Sequence, residues 1–147
     1  MHSFTSCLMH VVFSTNFRRP YLTPAIRHRL WPYLSGIARE NDMNTFAIGG
    51  MPDHVHLLIN IPPAVSISKA VQLLKGNSSK WLREVFPELR SQDFAWQEGF
   101  GAFSIGVSGI DDTVRYIQTQ QEHHRTKTFQ EEVELFLAKH EPVIEKG

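Results

Sequence analysis

The chain has 147 residues, 15 Lys/Arg balanced by 15 Asp/Glu, and one cysteine, Cys7. That length reads as a single domain spanning residues 1–147, burying about 70% of its unfolded surface, so folding requires neither disulfides nor a structural metal. A lone thiol rules out an internal disulfide framework and points to a reducing, cytoplasmic setting; no apolar run approaches the roughly 20 residues of a membrane helix, and no signal peptide is visible.

The neutral balance conceals an asymmetry. Residues 1–90 hold 10 Lys/Arg against 5 Asp/Glu, and residues 91–147 hold 5 against 10. The first part is suited to a polyanion, the second is not.

Taken in chain order, FTSCLMHVVFS (4–14) reads as a first strand. A loop, NFRRPYLTP, leads to a helix capped by Thr23 with Pro24 at its first position, running to about Asn41 and bent or broken near Pro32. A second strand falls at 45–49, and GGMPD reads as a turn. HVHLLINI (54–61) is a third strand, stopped by Pro62 and Pro63. Helix two spans about 66–85, begun by Ser66 or Ser68. Short strands are expected near 93–97 and 102–107. Gly106 and Gly109 form a flexible joint. Asp111 or Asp112 caps a third helix (112–124), and Thr128 caps a last one (129–140). The order is βαββαβ plus a further strand and two helices. It predicts an α+β, ferredoxin-like antiparallel sheet with helices on one face, leaving the other free for a ligand or a partner subunit.

Side chains alternate across a strand, so His54 and His56 share a face, with Cα atoms about 6.6 Å apart. Val55, Leu57, Ile59 and Ile61 point the opposite way, into the core. Both imidazoles can converge on one ion, but two ligands leave a metal site incomplete. Two polar residues on a wet strand face would give the same pattern.

In DDTVRYIQTQQEHH (111–124), Ile110, Val114 and Ile117 form an apolar stripe. Tyr116 lies roughly 120° from it. Gln120, four residues on, is on the tyrosine's side and offers an amide oxygen. His123 and His124 follow one turn later. Two imidazoles and an amide oxygen would hold a divalent ion with positions open for substrate, and a phenol oxygen beside them could attack what the ion polarises. The other possibility is that Tyr116 simply packs against a neighbouring element.

These two half-sites, with VVFSTNFRRPYL (11–22), MPDHVHLLINIP (51–62), LLKGNSSKWL (73–82) and AWQEGFGAFSIG (95–106), resemble the single-tyrosine HUH transposases of insertion sequences. The likeness is to the 200/605 type, including the REP-associated relatives, and it covers nearly the whole chain. It implies that His54 and His56 are the paired metal ligands around Val55, that Gln120 is the third, and that Tyr116 is the nucleophile. It further implies cleavage and rejoining of single-stranded DNA beside hairpins through a 5′-phosphotyrosine, with Mg²⁺ or Mn²⁺ and no nucleotide cofactor. A homodimer is implied too, in which each tyrosine helix can complete the partner's histidine pair.

For DNA contact, Lys69, Gly76, Lys80 and Arg83 fall on one polar stripe of helix two with Lys75 beside it. Arg18 and Arg19 occupy the loop after the first strand. Gly76 could admit a DNA backbone closely. Phe100 and Phe103 could stack on bases, although a core role suits them better. Two alternatives carry much the same residues: a domesticated REP-associated nuclease that binds or trims hairpins, and a non-catalytic metal or nucleic-acid-binding protein using His54, His56, His123 and His124.

Overall fold

The computed structural model describes residues 4–120 and 128–140. Its elements are β1 (Leu8–Ser14), α1 (Pro24–Glu40), β2 (Asn44–Met51), β3 (His54–Asn60), α2 (Ile67–Val85), α3 (Pro87–Ser91), β4 (Gly101–Ser104), α4 (Ile110–Gln118) and α5 (Phe129–His140). Two single 3₁₀ turns, Asn16–Arg18 and Val107–Gly109, complete them. The strands form one antiparallel sheet in the order β2-β3-β1-β4. This is the expected ferredoxin-like arrangement.

Local chemistry sets most helix starts. Thr23 accepts a hydrogen bond from Ile26 N, Ser66 from Lys69 N and Thr128 from Glu131 N, each satisfying an amide that the first turn leaves open. The tyrosine helix differs from expectation. It begins at Ile110 with Gly109 as its cap residue, and Asp111 and Asp112 lie in its first turn, where they complement the helix dipole instead of capping it. Its continuation past Gln120, with His123 and His124, falls outside the described residues.

The periodicity of two divides the sheet. Met9, Val11 and Phe13 of β1 and Val55, Leu57 and Ile59 of β3 point to one face. They join Leu30, Leu34, Leu74 and Leu82 of α1 and α2 in the main core. The other face was expected to be free. Instead α4 lies across it, packing Ile117 on Ala47 and Leu58, with Ile110, Val114 and Tyr116 around them.

Three further expectations change. α1 runs through Pro32 without interruption. Residues 93–97 form no strand; Trp96 makes one isolated bridge to Thr15, while its indole donates to Ser78 Oγ and its ring packs on Phe13. Anchoring by one large side chain replaces a ladder there. Gly49 and Gly50 belong to β2 and not to the turn. Gly49 pairs with His56, and a Cβ on it would overlap the carbonyl oxygen of Ile117. The missing side chain is what lets α4 approach the sheet closely.

Candidate active site

His54 opens β3 and His56 follows on the same face, both fully buried. The wet strand face is therefore excluded: α4 and α5 cover both rings. His54 Nδ1 stands 2.7 Å from Asp53 Oδ1, and His56 Nδ1 stands 2.8 Å from Nε2 of His10 on β1. Both Nε2 atoms face the helices.

Gln120, buried, follows α4 and places its Oε1 3.3 Å from His54 Nε2. Its Nε2 donates to Tyr116 O at 3.4 Å and to Glu132 Oε1 at 3.2 Å. The Tyr116 ring is half-buried, its centroid 5.9 Å from that of His56. The structure thus brings together all four residues singled out on strand and helix, within one chain.

Glu132 is the residue that sequence reasoning missed. It lies in the first turn of α5, 3% exposed. Oε1 is 3.2 Å from His56 Nε2, Oε2 is 3.7 Å from His54 Nε2, and Oε1 accepts the hydrogen bond of the Tyr116 phenol. The only sequence signal was an acidic first turn after a capping threonine, shared by Glu131. His10 and Asp53 were also missed, although strand alternation places His10 on the histidine face and Asp53 directly precedes the pair.

The electrostatics follow from burial and proximity. Burial raises the Tyr116 phenol well above its ordinary value, and the hydrogen bond and charge of Glu132 raise it further, against a smaller lowering by Gln120. Burial also disfavours ionisation of Glu132. The hydrogen bond and charge of His56, the phenol of Tyr116 and the charge of His54 outweigh it and hold the carboxyl well below the usual range.

The donor set suits a divalent cation. Ligand atoms of His54, His56 and Glu132 lie within 4.8 Å of one another, all buried. Imidazole nitrogens serve many divalent metals, and a carboxylate with an amide oxygen adds the hard donors that magnesium and manganese favour. A cavity of about 250 Å³ reaches this cluster, with His56, Glu132, Val12, Phe100, Phe103 and Leu137 on its walls. Phe103 is buried, as a core role requires, whereas Phe100 is exposed.

The basic residues separate into two groups. Lys75 Nζ donates to the carbonyls of Gln97 and Gly99, and Arg83 to Ser79 Oγ and Phe94 O. Both brace the 94–99 segment. Lys69, Gly76 and Lys80 are exposed on α2, which packs on the sheet face opposite the histidines. Arg18 and Arg19 are exposed beside β1. Arg18 donates to Gln130 of α5 and Arg19 lies over the Phe17 ring.

Comparison with known proteins places the chain in a family and a fold. Residues 3–120 match the family model described as "Transposase IS200 like". The chain is 28% identical over 121 residues to the transposase for insertion sequence element IS200 of Salmonella typhimurium, covering 78% of this chain and 79% of that protein. It is 25% identical over 116 residues to the ISDra2 transposase TnpA of Deinococcus radiodurans, covering 77% and 83%. A solved structure described as a transposase of Deinococcus radiodurans R1 superposes with a TM-score of 0.68 at 25% identity, over 82% of this chain and 95% of the other. A REP-associated tyrosine transposase bound to a REP hairpin shares the fold, with a TM-score of 0.57 at 16% identity over 80% and 67%.

Proposed function

The chain belongs to the IS200-like transposase family, and on that premise we propose that it cleaves and rejoins single-stranded DNA at hairpin-flanked sites through a 5′-phosphotyrosine on Tyr116. The observation that carries the proposal is the meeting of four groups from two distant stretches of chain: the His54 and His56 imidazoles of β3 and, from α4 and the residues directly after it, the Tyr116 phenol and the Gln120 amide, closed over by Glu132 of α5.

A phosphodiester resists nucleophiles because its own charge repels them. His54, His56 and Gln120, joined by Glu132, would hold Mg²⁺ or Mn²⁺. When bound, the ion withdraws charge from the non-bridging oxygens of the DNA. The remaining work falls to the chain. α4 aims the phenol oxygen at phosphorus. Glu132 accepts the phenol's hydrogen bond and is the proposed acceptor of its proton. The new bond joins Tyr116 Oη to phosphorus. The bond from phosphorus to the 3′ oxygen breaks, and that oxygen leaves as a hydroxyl after taking a proton. The covalent link conserves the bond energy, so a 3′-hydroxyl can reverse the step without a nucleotide cofactor.

Hairpin DNA is proposed as the partner because a protein of this fold is bound to a REP hairpin. Arg18 and Arg19, near the edge of the site, together with Lys69, Gly76 and Lys80 on α2, are the proposed phosphate contacts, extended by Lys75 and Arg83. A homodimer acting in the cytoplasm completes the reading.

The test is a denaturing gel with a single-stranded hairpin oligonucleotide. We expect a covalent adduct that requires manganese or magnesium and is lost with EDTA. Tyr116→Phe should abolish the adduct and spare binding. An adduct that persists in Tyr116→Phe removes Tyr116 as the nucleophile.

A further inference from the structure

His10 belongs neither to the ligand set nor to the nucleophile pair. Its ring is 1% exposed on β1. Its Nε2 lies 2.8 Å from His56 Nδ1, with the ring centroids 5.0 Å apart and the planes tilted by 40°. That distance requires one nitrogen to donate and the other to accept. His56 can give a lone pair from Nε2 to a cation only if that nitrogen carries no proton. In the neutral ring the proton is then on Nδ1, which donates to His10 Nε2. His10 must in turn keep its own proton on Nδ1.

We propose that His10 is a positioning residue: it fixes His56 as the Nδ1–H tautomer and aims Nε2 of His56 at the divalent cation. The inference rests on the reading of His56 as a metal ligand. It concerns which nitrogen holds the proton, not a change of protonation. His54 has the matching arrangement, with the Asp53 carboxylate in the accepting role. Each ligand histidine therefore has an outer partner for its second nitrogen, as metal-binding histidines generally do.

The two partners differ in a way that suits their places. Asp53 is an anion at the end of the sheet, its side chain 28% exposed. His10 is deep, its ring 6.0 Å from that of Tyr116. A carboxylate there would set a further negative charge beside the position of an incoming phosphodiester. A neutral imidazole orients His56 without adding that repulsion.

The experiment titrates the full chain with manganese and follows the electron paramagnetic resonance signal of the free ion. His10→Leu should weaken manganese binding about 10- to 100-fold. His10→Gln, whose amide oxygen can accept from His56 Nδ1–H, should recover most of that loss. Unchanged affinity in His10→Leu overturns the proposal. Equal weakening by Leu and Gln also overturns it, because the ring would then matter only for packing. His56→Ala is the control. If it binds manganese as well as the unsubstituted chain, the ligand reading itself fails. If it loses manganese while His10→Leu does not, only the role of His10 fails. Should His10→Leu not fold, nitrogen-15 spectra of the zinc-loaded unsubstituted chain decide the matter. A proton on His56 Nδ1 is expected, and a proton on His10 Nε2 would falsify the assignment.

Discussion

Tyr116 and Glu132 come from separate helices, and the phenol of the first donates its hydrogen bond to the carboxylate of the second. The same carboxylate lies against both strand histidines. The contact places a phenol, a carboxylate and two imidazole nitrogens in one buried cluster.

The pH behaviour of this pair has a defined sign. The Tyr116 phenol is raised on folding, so its contribution to stability is complete below the ordinary tyrosine value of 10.0 and is lost as pH climbs through the folded value. Glu132 is depressed on folding, so its contribution is present above the ordinary carboxylate value of 4.5 and fades as pH falls towards the folded value. In EDTA-treated protein, Glu132→Gln removes the negative charge beside the phenol. The phenolate absorbance of Tyr116 should then appear at lower pH than in the unsubstituted chain. Adduct formation should fall by about 100-fold, the scale of a lost proton acceptor. A phenolate titration that does not move would separate the two groups electrostatically.

Gly49 controls how close the tyrosine helix comes. A methyl group there meets the Ile117 carbonyl, so Gly49→Ala must lift α4 from β2. A displacement of about 1 Å costs on the order of 100-fold in rate. The main core lies on the opposite face, so the stability loss should stay within the ~1–3 kcal/mol of local overpacking. Adduct kinetics beside a thermal melt test this; normal kinetics would show that α4 does not act from this docked position.

The basic residues should divide according to their surroundings. Lys69→Ala with Lys80→Ala should weaken oligonucleotide binding and leave the melting temperature unchanged. The salt slope should fall by about 0.7 for each phosphate that the double variant no longer neutralises. Arg83→Ala removes a side chain that braces Ser79 and Phe94, so it should lower the melting temperature. Binding isotherms at several salt concentrations resolve the two effects. An unchanged salt slope in the lysine double variant would assign those residues to a solvated face.

A homodimer is expected at micromolar concentration in sedimentation velocity. α4 rests on its own chain's sheet here through a small apolar cluster of Ala47, Leu58 and Ile117. The stretch between β4 and α4 holds Gly106 and Gly109 around one 3₁₀ turn. A small contact on a short joint is compatible with exchange of the helix between subunits, and a monomer at that concentration would count against it.

The sequence alone determined the features that depend on local periods. Alternation along β3 put His54 and His56 on one face and Val55, Leu57 and Ile59 in the core. The spacing of Ile110, Val114 and Ile117 set the packed stripe of α4, with Tyr116 and Gln120 directed towards the site. Thr23 and Thr128 marked helix starts, and Ser66 was one of two candidates for another, because a cap acts within three residues. The tertiary structure alone decided what depends on register and distant packing. His10 reaches His56 because β1 and β3 pair in one particular register, which no local pattern states. Gly49 read as a turn residue, since the closeness of Ile117 comes from a helix far along the chain. Glu132 looked like any acid in a helix's first turn. It became part of the site only because α5 folds over the sheet, and burial beside two imidazoles is what changes a solvated carboxylate into a candidate ligand.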